Sequence, residues 1–372
     1  MTPAPGMSTS CIWDVAVVGS GIFSFGHKNG SSHGQSRIIR YAHPHPAFIP
    51  VVADSYKQID ELEKKRGEKL WIKTGLLWVA GTEYVKKLTT SMKECNCEHE
   101  QLTSADIKKR FPFFSYDDKW AAIYDPMGGI LLADKWMKAF HEEFLSSGGY
   151  FENQCEVQSM NEGELTTLIT SKGEIRAKKV IVATGTWIHK LLPELTTKAE
   201  NWSLSVCYWK TKEDVDDNVV RPENLPVFIV EDQEDNDRGF FMVPEVDYPG
   251  TVKFCVDGGD VFLPGEEPDR RDEKFVDIPR KHVAKHFPML DYRKPAVVDR
   301  CKYTMSPDHN YYIDYYGKGK NIVVCGMMSG TGFKVAPGLG RALVYMAEGQ
   351  PLPFDISFFG GDRFTTGSSH RP

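Results

Sequence analysis

A short Val-rich run, Ile12 to Val18, leads straight into Gly19-Ser20-Gly21, and little else in the 372 residues restricts the fold so tightly. A buried parallel strand enters a phosphate-binding turn in this way. One glycine lets the chain turn sharply, and another lets backbone approach a pyrophosphate. A helix whose N-terminus faces the phosphates should follow. Gly19 and Gly21 supply the two glycines, while Ser24 stands where a third belongs. A full strand-helix-strand unit takes about 30 residues, and an acidic residue roughly 20 positions on holds the ribose. Here the chain runs Phe25-Gly26-His27-Lys28-Asn29-Gly30-Ser31-Ser32, a loop-like composition, with no acidic residue before Asp54. The first crossover helix and second strand are therefore expected to be absent.

Further along, the pattern predicts helices over Val51 to Lys65, Lys135 to Leu145, Lys281 to Phe287 and Gly338 to Ala347. In the second of these, Trp136, Phe140 and Phe144 recur at helical spacing and are expected in the core. Strands are expected at Gly75 to Ala80, Glu164 to Ile169, Glu174 to Lys178 and Val180 to Ala183. Others fall at Val227 to Glu231, Gly239 to Val243, Thr251 to Val256 and Ile322 to Cys325, with an acidic loop over Thr211 to Asn224. The fold class is α/β: a Rossmann-like nucleotide domain with its first βαβ unit truncated, interleaved with a mixed-sheet domain.

Composition narrows the function. A net charge of -6 argues against nucleic-acid or anionic-membrane surfaces, and no apolar stretch reaches the roughly 18 residues of a membrane span. The N-terminus has no basic, apolar, small-residue succession of a secretory signal. Eight scattered cysteines suit a reducing compartment. Cys95, Cys97 and His99 lie close together but lack a second ligand pair, so no metal is expected.

Three segments carry chemistry. Ser31 to Arg40 places Arg37 and Arg40 one helical turn apart, so on a helix they would share a face and could fork an anion such as a carboxylate. Lys253 interrupts the strand-like run Tyr248 to Cys255, where a lysine ordinarily faces solvent. The stretch Cys301 to Asp308, the strand Ile322 to Cys325, and Ser329-Gly330-Thr331-Gly332-Phe333-Lys334 form the third. Glycines after a buried strand let backbone approach a flat ligand, with Lys334 beside it to hold an anion.

From Ser31 to about Phe359 the chain resembles the monomeric sarcosine oxidase family, and within it the peroxisomal sarcosine/L-pipecolate oxidases. The likeness rests on Gly30 to Arg40, Cys-x-Tyr-Thr-x-Ser-Pro-Asp at Cys301, and Ser-Gly-x-Gly-Phe-Lys ending at Lys334. Thr74-Gly75-Leu76-Leu77, Gly128-Gly129 and Ala183-Thr184-Gly185-x-Trp187 add to it. The resemblance implies an FAD-dependent oxidase of small secondary amino acids such as sarcosine or L-pipecolate. The flavin would accept a hydride equivalent, dioxygen would reoxidise it with release of hydrogen peroxide, and the imine would hydrolyse. It implies that Cys301 tethers FAD covalently, that Arg40 and Lys334 clamp the substrate carboxylate, and that Arg37 lies against the flavin. Lys253 would assist the reaction with oxygen. Gly19, Gly21, Ser32, Gly185, Gly330 and Gly332 would line the cofactor. A nicotinamide-linked dehydrogenase is disfavoured by the missing ribose acid and by the Cys301 segment.

The implied FAD-binding domain comprises 11–45, 125–200 and 299–350. The substrate domain comprises 46–124 and 201–298, and 1–10 and 360–372 are expected to be flexible tails. A monomer is expected, with the amino acid and oxygen as its partners. Asp257 and Thr331 replace histidines of the family pattern, Asp257 bringing negative charge towards an anionic substrate. Met327 replaces a small residue of the turn. The C-terminal Ser369-His370-Arg371-Pro372 is not the peroxisomal tripeptide, so the family's peroxisomal location stands beside a cytoplasmic one. The truncation also admits an inactive isoform unable to retain FAD.

Overall fold

The computed structural model describes residues 11–19, 30–232, 238–263 and 273–364, with side chains 196–198 and 238 set aside. In chain order, the elements that position the site are strand β1 (Ile12–Val18), strand β2 (Ser36–Ile39), helix α1 (Phe48–Arg66), strands β3 (Gly173–Val182), β4 (Glu200–Lys210), β5 (Thr251–Val256), β6 (Val297–Met305) and β7 (Ile322–Gly326), and helix α2 (Ala336–Glu348).

Three sheets result. In the six-stranded sheet β1, β3 and β7 run parallel, with β3 between the other two. Only one edge of β1 is paired among the described residues. Ile12 and Val17 remain 46% and 56% exposed. A nine-stranded sheet holds β4, β5 and β6. A small third sheet joins β2 to Gly129–Leu132 and Trp71–Lys73.

Helix α1 forms because Ile49, Val52, Tyr56, Ile59 and Leu62 recur at three- and four-residue steps and bury together. It ends at Gly67, whose φ of 64° caps it in the left-handed region. Its buried face packs with α2 in one core that includes Ile181 and Val323 of the parallel sheet. Contact is close: a Cβ on Gly338 would lie 2.3 Å from the Val51 carbonyl oxygen.

The structure departs from the sequence pattern in five places. Phe144 is 37% exposed rather than core. Eight helical steps of 100° carry it some 80° beyond Trp136, so it rotates off the buried stripe. The run expected as two strands, Glu174 to Lys178 and Val180 to Ala183, is one continuous strand, β3. The acidic segment expected as loop contains a turn of 3-10 helix, Asp217–Val220, capped by the Asp216 side chain. The helix expected from Lys281 begins at Lys274 and carries Pro279 inside it, where the proline's bias against a helical predecessor hid the start. Residues 360–364, expected as the start of a loose tail, hold the buried Arg363 ion-paired to Asp308 at 2.6 Å. Among the described residues, no helix is long and apolar enough to cross a membrane and no cluster of potential metal ligands is found.

Candidate active site

The parallel strands β1, β3 and β7 end side by side at Gly19, Thr184-Gly185 and the turn Met327-Met328-Ser329-Gly330. Open α/β sheets bind ligands outside these carboxyl ends. Gly19 has φ 117°, and a Cβ there would sit 2.3 Å from the Ala183 carbonyl oxygen, so only glycine lets β1 close on β3. The buried Thr184 hydroxyl has no hydrogen-bond partner among the described residues. Met327 and Ser329 have φ 49° and 44°. Gly330 follows at φ 72°, where a Cβ would lie 2.7 Å from the Tyr303 ring. The turn is pinned by the Ser329 N–H to the Thr304 carbonyl at 3.0 Å, which joins it to the end of β6. Gly21 and Ser24 lie outside the described residues.

Arg37 and Arg40 do not share a helix face. Their segment is the strand β2, with Arg37 opposite Leu131, and Arg40 follows directly after it. Extended backbone sends positions three apart to opposite sides. Arg37 donates to the carbonyls of Ser31, His33 and Ser36, and its guanidinium lies 5.4 Å from the Phe333 ring centre. It therefore shapes the loop that contains Ser32. Arg40 is 7% exposed, lies 4.6 Å over the Trp78 ring, and donates to the Ala42 carbonyl. That carbonyl's segment is held by Asp125, whose carboxylate accepts from the N–H groups of Tyr41 and Ala42 at 2.7 and 2.9 Å.

Lys334, 4% exposed, approaches Arg40 from the turn before α2 and donates only to the Thr331 carbonyl at 3.1 Å. Burial holds the Lys334 ammonium well below its usual range, and Arg40 lowers it further. Burial likewise lowers Arg40, opposed at longer range by groups that include Asp125 and Glu231. Among the described residues neither cation has a carboxylate within ion-pair distance. Two buried positive groups without a counter-ion make a receptor for an anion.

Lys253 is buried rather than solvent-facing, 6% exposed. On β5, Lys253 and Cys255 alternate onto one face with Asp257 just beyond. Lys253 donates to the Ser36 hydroxyl at 2.6 Å and pairs with Asp247 at 3.0 Å. The small sheet that carries β2 thus covers the face that alternation alone would leave in water. Asp257 is exposed at its surface although protein packs closely around its carboxyl group. Burial pushes its carboxyl up to about 6, with Arg40 opposing. Cys301 and Tyr303 alternate along β6. The half-buried Cys301 packs with Tyr208 and Cys255, while Tyr303 feels Asp257, Cys301 and Arg37. His33 ties the Ser31 to Ser36 loop to β6 through the Arg300 carbonyl at 2.7 Å. Thr331 meets the Tyr311 hydroxyl at 2.8 Å, and Met327 is fully buried.

Sequence reasoning missed Asp247 and Ser36. Asp247 sits before Tyr248-Pro249-Gly250, where an aspartate reads as turn chemistry, and nothing local distinguishes it from a solvated one.

This arrangement, glycine turns at parallel strand ends beside buried cations, is that of a nucleotide-binding α/β protein. The family model for FAD-dependent oxidoreductases (DAO) matches residues 12–346, and the chain belongs to that family. It is 42% identical over 382 residues to a Caenorhabditis elegans protein named for sarcosine oxidase, covering 96% of this chain and 99% of the relative. It is 29% identical to the peroxisomal sarcosine oxidase of Mus musculus, over 95% of this chain and 97% of that one. Among solved structures, L-proline dehydrogenase from P. horikoshii superposes with a TM-score of 0.78 at 18% identity, covering 96% of this chain and 98% of that one. NikD, an unusual amino acid oxidase essential for nikkomycin biosynthesis, gives 0.75 at 19%, covering 94% and 97%. These structural likenesses concern the fold. Gly185, at φ 56° with nothing within 4 Å of where a Cβ would sit, and the buried Thr184 hydroxyl, without a partner among the described residues, leave room and a polar group that would suit FAD at the strand ends.

Proposed function

We propose that this protein oxidises a small secondary amino acid, sarcosine, L-pipecolate or a close analogue, with oxygen as the final acceptor. The observation that carries this reading is the pair of buried cations, Arg40 and Lys334, within electrostatic range of each other and without a carboxylate at ion-pair distance among the described residues. A substrate carboxylate between them would relieve their mutual repulsion and use donors that have few other partners. FAD, when bound, supplies the two-electron acceptor for the C–N oxidation and the means of passing electrons to oxygen. Gly19, Gly185, Gly330 and Gly332, with Gly21 and Ser32, are the positions we assign to its cradle. Arg37 braces the loop over it, and Cys301 is the thiol we assign as its covalent anchor. Lys253 would place positive charge where oxygen gains electrons. The division into an FAD-binding and a substrate domain, a monomeric state and a peroxisomal compartment belong to the same reading. The names of the mammalian relatives support the last of these.

One observation favours a second reading, a chain that keeps the pocket but holds FAD poorly. The outer edge of β1 carries no strand among the described residues, and Val17 is 56% exposed. Purified protein separates the two. Yellow protein whose flavin absorbance survives acid precipitation, and bleaches when sarcosine or pipecolate is added without air, is the expected result. Cys301→Ala should release flavin on denaturation. Protein that stays colourless after soaking with FAD would overturn the first reading.

A further inference from the structure

Lys253 does not stand alone in its pocket. Its ammonium meets Asp247 at 3.0 Å and the Ser36 hydroxyl at 2.6 Å, and the Lys253 and Asp247 side chains are each 6% exposed. The Ser36 hydroxyl donates to the same Asp247 carboxylate, and the Gln35 N–H donates to it at 3.2 Å. The three groups come from three places: Lys253 from β5, Asp247 from the turn before it, and Ser36 from the small sheet that also carries Arg37. Also facing the ammonium are the Ser36 carbonyl at 3.4 Å, Arg37, Cys255 and the Tyr208 ring, whose centre is 5.5 Å away.

From this geometry we infer that Asp247 is a positioning residue that fixes the Lys253 ammonium against Ser36 and so keeps one positive charge aimed at the site where oxygen reacts. The inference rests on the proposed oxidase reading. A lysine on a four-carbon stem has many rotamers, and one carboxylate plus one hydroxyl remove most of that freedom. The carboxylate also opposes burial. Burial lowers the Lys253 ammonium below its ordinary range, Arg37 adds to that, and Asp247 acts the other way. Burial raises the Asp247 carboxyl, but Lys253 and Ser36 bring it below its ordinary value. Without Asp247 the lysine would lose its proton at lower pH. The charge would then be absent through more of the working range as pH rises.

The test uses the FAD-loaded protein and Asp247→Asn, which keeps shape and removes charge. Reoxidation by oxygen is expected to slow at least tenfold more than reduction by the amine, about 1.4 kcal/mol of selective loss. In a Lys253→Met background the same substitution should add no further oxygen-specific loss, because the two residues act as a unit. A second readout needs no turnover. The carbon-13 signal of the Lys253 ε-carbon, assigned by its loss in Lys253→Met, should titrate at lower pH in Asp247→Asn than in the parent. If Asp247→Asn fails to fold, Ser36→Ala removes the shared hydroxyl and leaves both charges, and a smaller shift in the same direction is expected. An unchanged lysine titration, or equal slowing of both half-reactions, overturns the assignment. Absence of amine oxidation in the parent would instead sink the oxidase reading, while the titration would still report on the pair.

Discussion

Charge at single residues sets what the pocket can hold. Arg40 presents a planar fork over Trp78, whereas a lysine offers a point charge. Arg40→Lys should therefore raise the KM for the amino acid at least tenfold while changing kcat much less, as steady-state kinetics will read. Asp257 works in the opposite sense. Its carboxyl titrates at about 6, so above that pH it is an anion within range of the Arg40 site and below it is neutral. Binding of an anionic substrate should weaken as pH rises through about 6, and Asp257→Asn should remove that step. A binding curve over about pH 5 to 8 checks it; an identical slope in both proteins would clear Asp257 of any role. Arg40, Lys334 and Cys301 could be singled out in the chain because they sit in long distinctive strings. Asp247 was not, since its meaning depends on a lysine six positions on and a serine more than 200 residues away.

Among the elements, the Cys301 to Asp308 string serves two purposes. Its strand half, β6, carries Cys301 and Tyr303, and its Ser306 to Asp308 half is structural. Ser306 donates to Asp308 and to the Asn310 carbonyl, and Arg363 closes on Asp308 from the chain's far end. Arg363→Ala would leave a buried carboxylate unpaired, a loss of about 3 to 5 kcal/mol. Burial raises the Asp308 carboxyl, but Arg363 and Ser306 bring it below its ordinary value. The pair's stabilisation is thus present above the unfolded value of about 4 and lost as pH falls through the folded one. Melting temperatures of parent and variant should differ most near neutral pH and converge under acid conditions. Helix α1 was legible from its apolar spacing, and the end of β1 from Gly19. The conformation of Ser36 to Ile39 was not, because four residues cannot reveal a period and only pairing with Gly129–Leu132 makes them a strand.

For the molecule as a whole, the outer edge of β1 is unpaired among the described residues. β1 pairs with β3 on one side and leaves Ile12 and Val17 exposed, and unpaired strand edges invite association. Val17→Lys should lower concentration-dependent scattering without changing the melting temperature by more than about 2 °C; unchanged scattering would show that the edge is not what associates. Local patterns settled much in advance: an α/β chain and parallel strands ending in glycine turns. These follow from backbone freedom and hydrophobic period, which act over a few residues. Burial of Lys253, the pairing with Asp247 and the approach of Lys334 to Arg40 arise only when separate sheets close on one another. Charge in a protein takes its meaning from what excludes water around it, and that is a property of the folded whole.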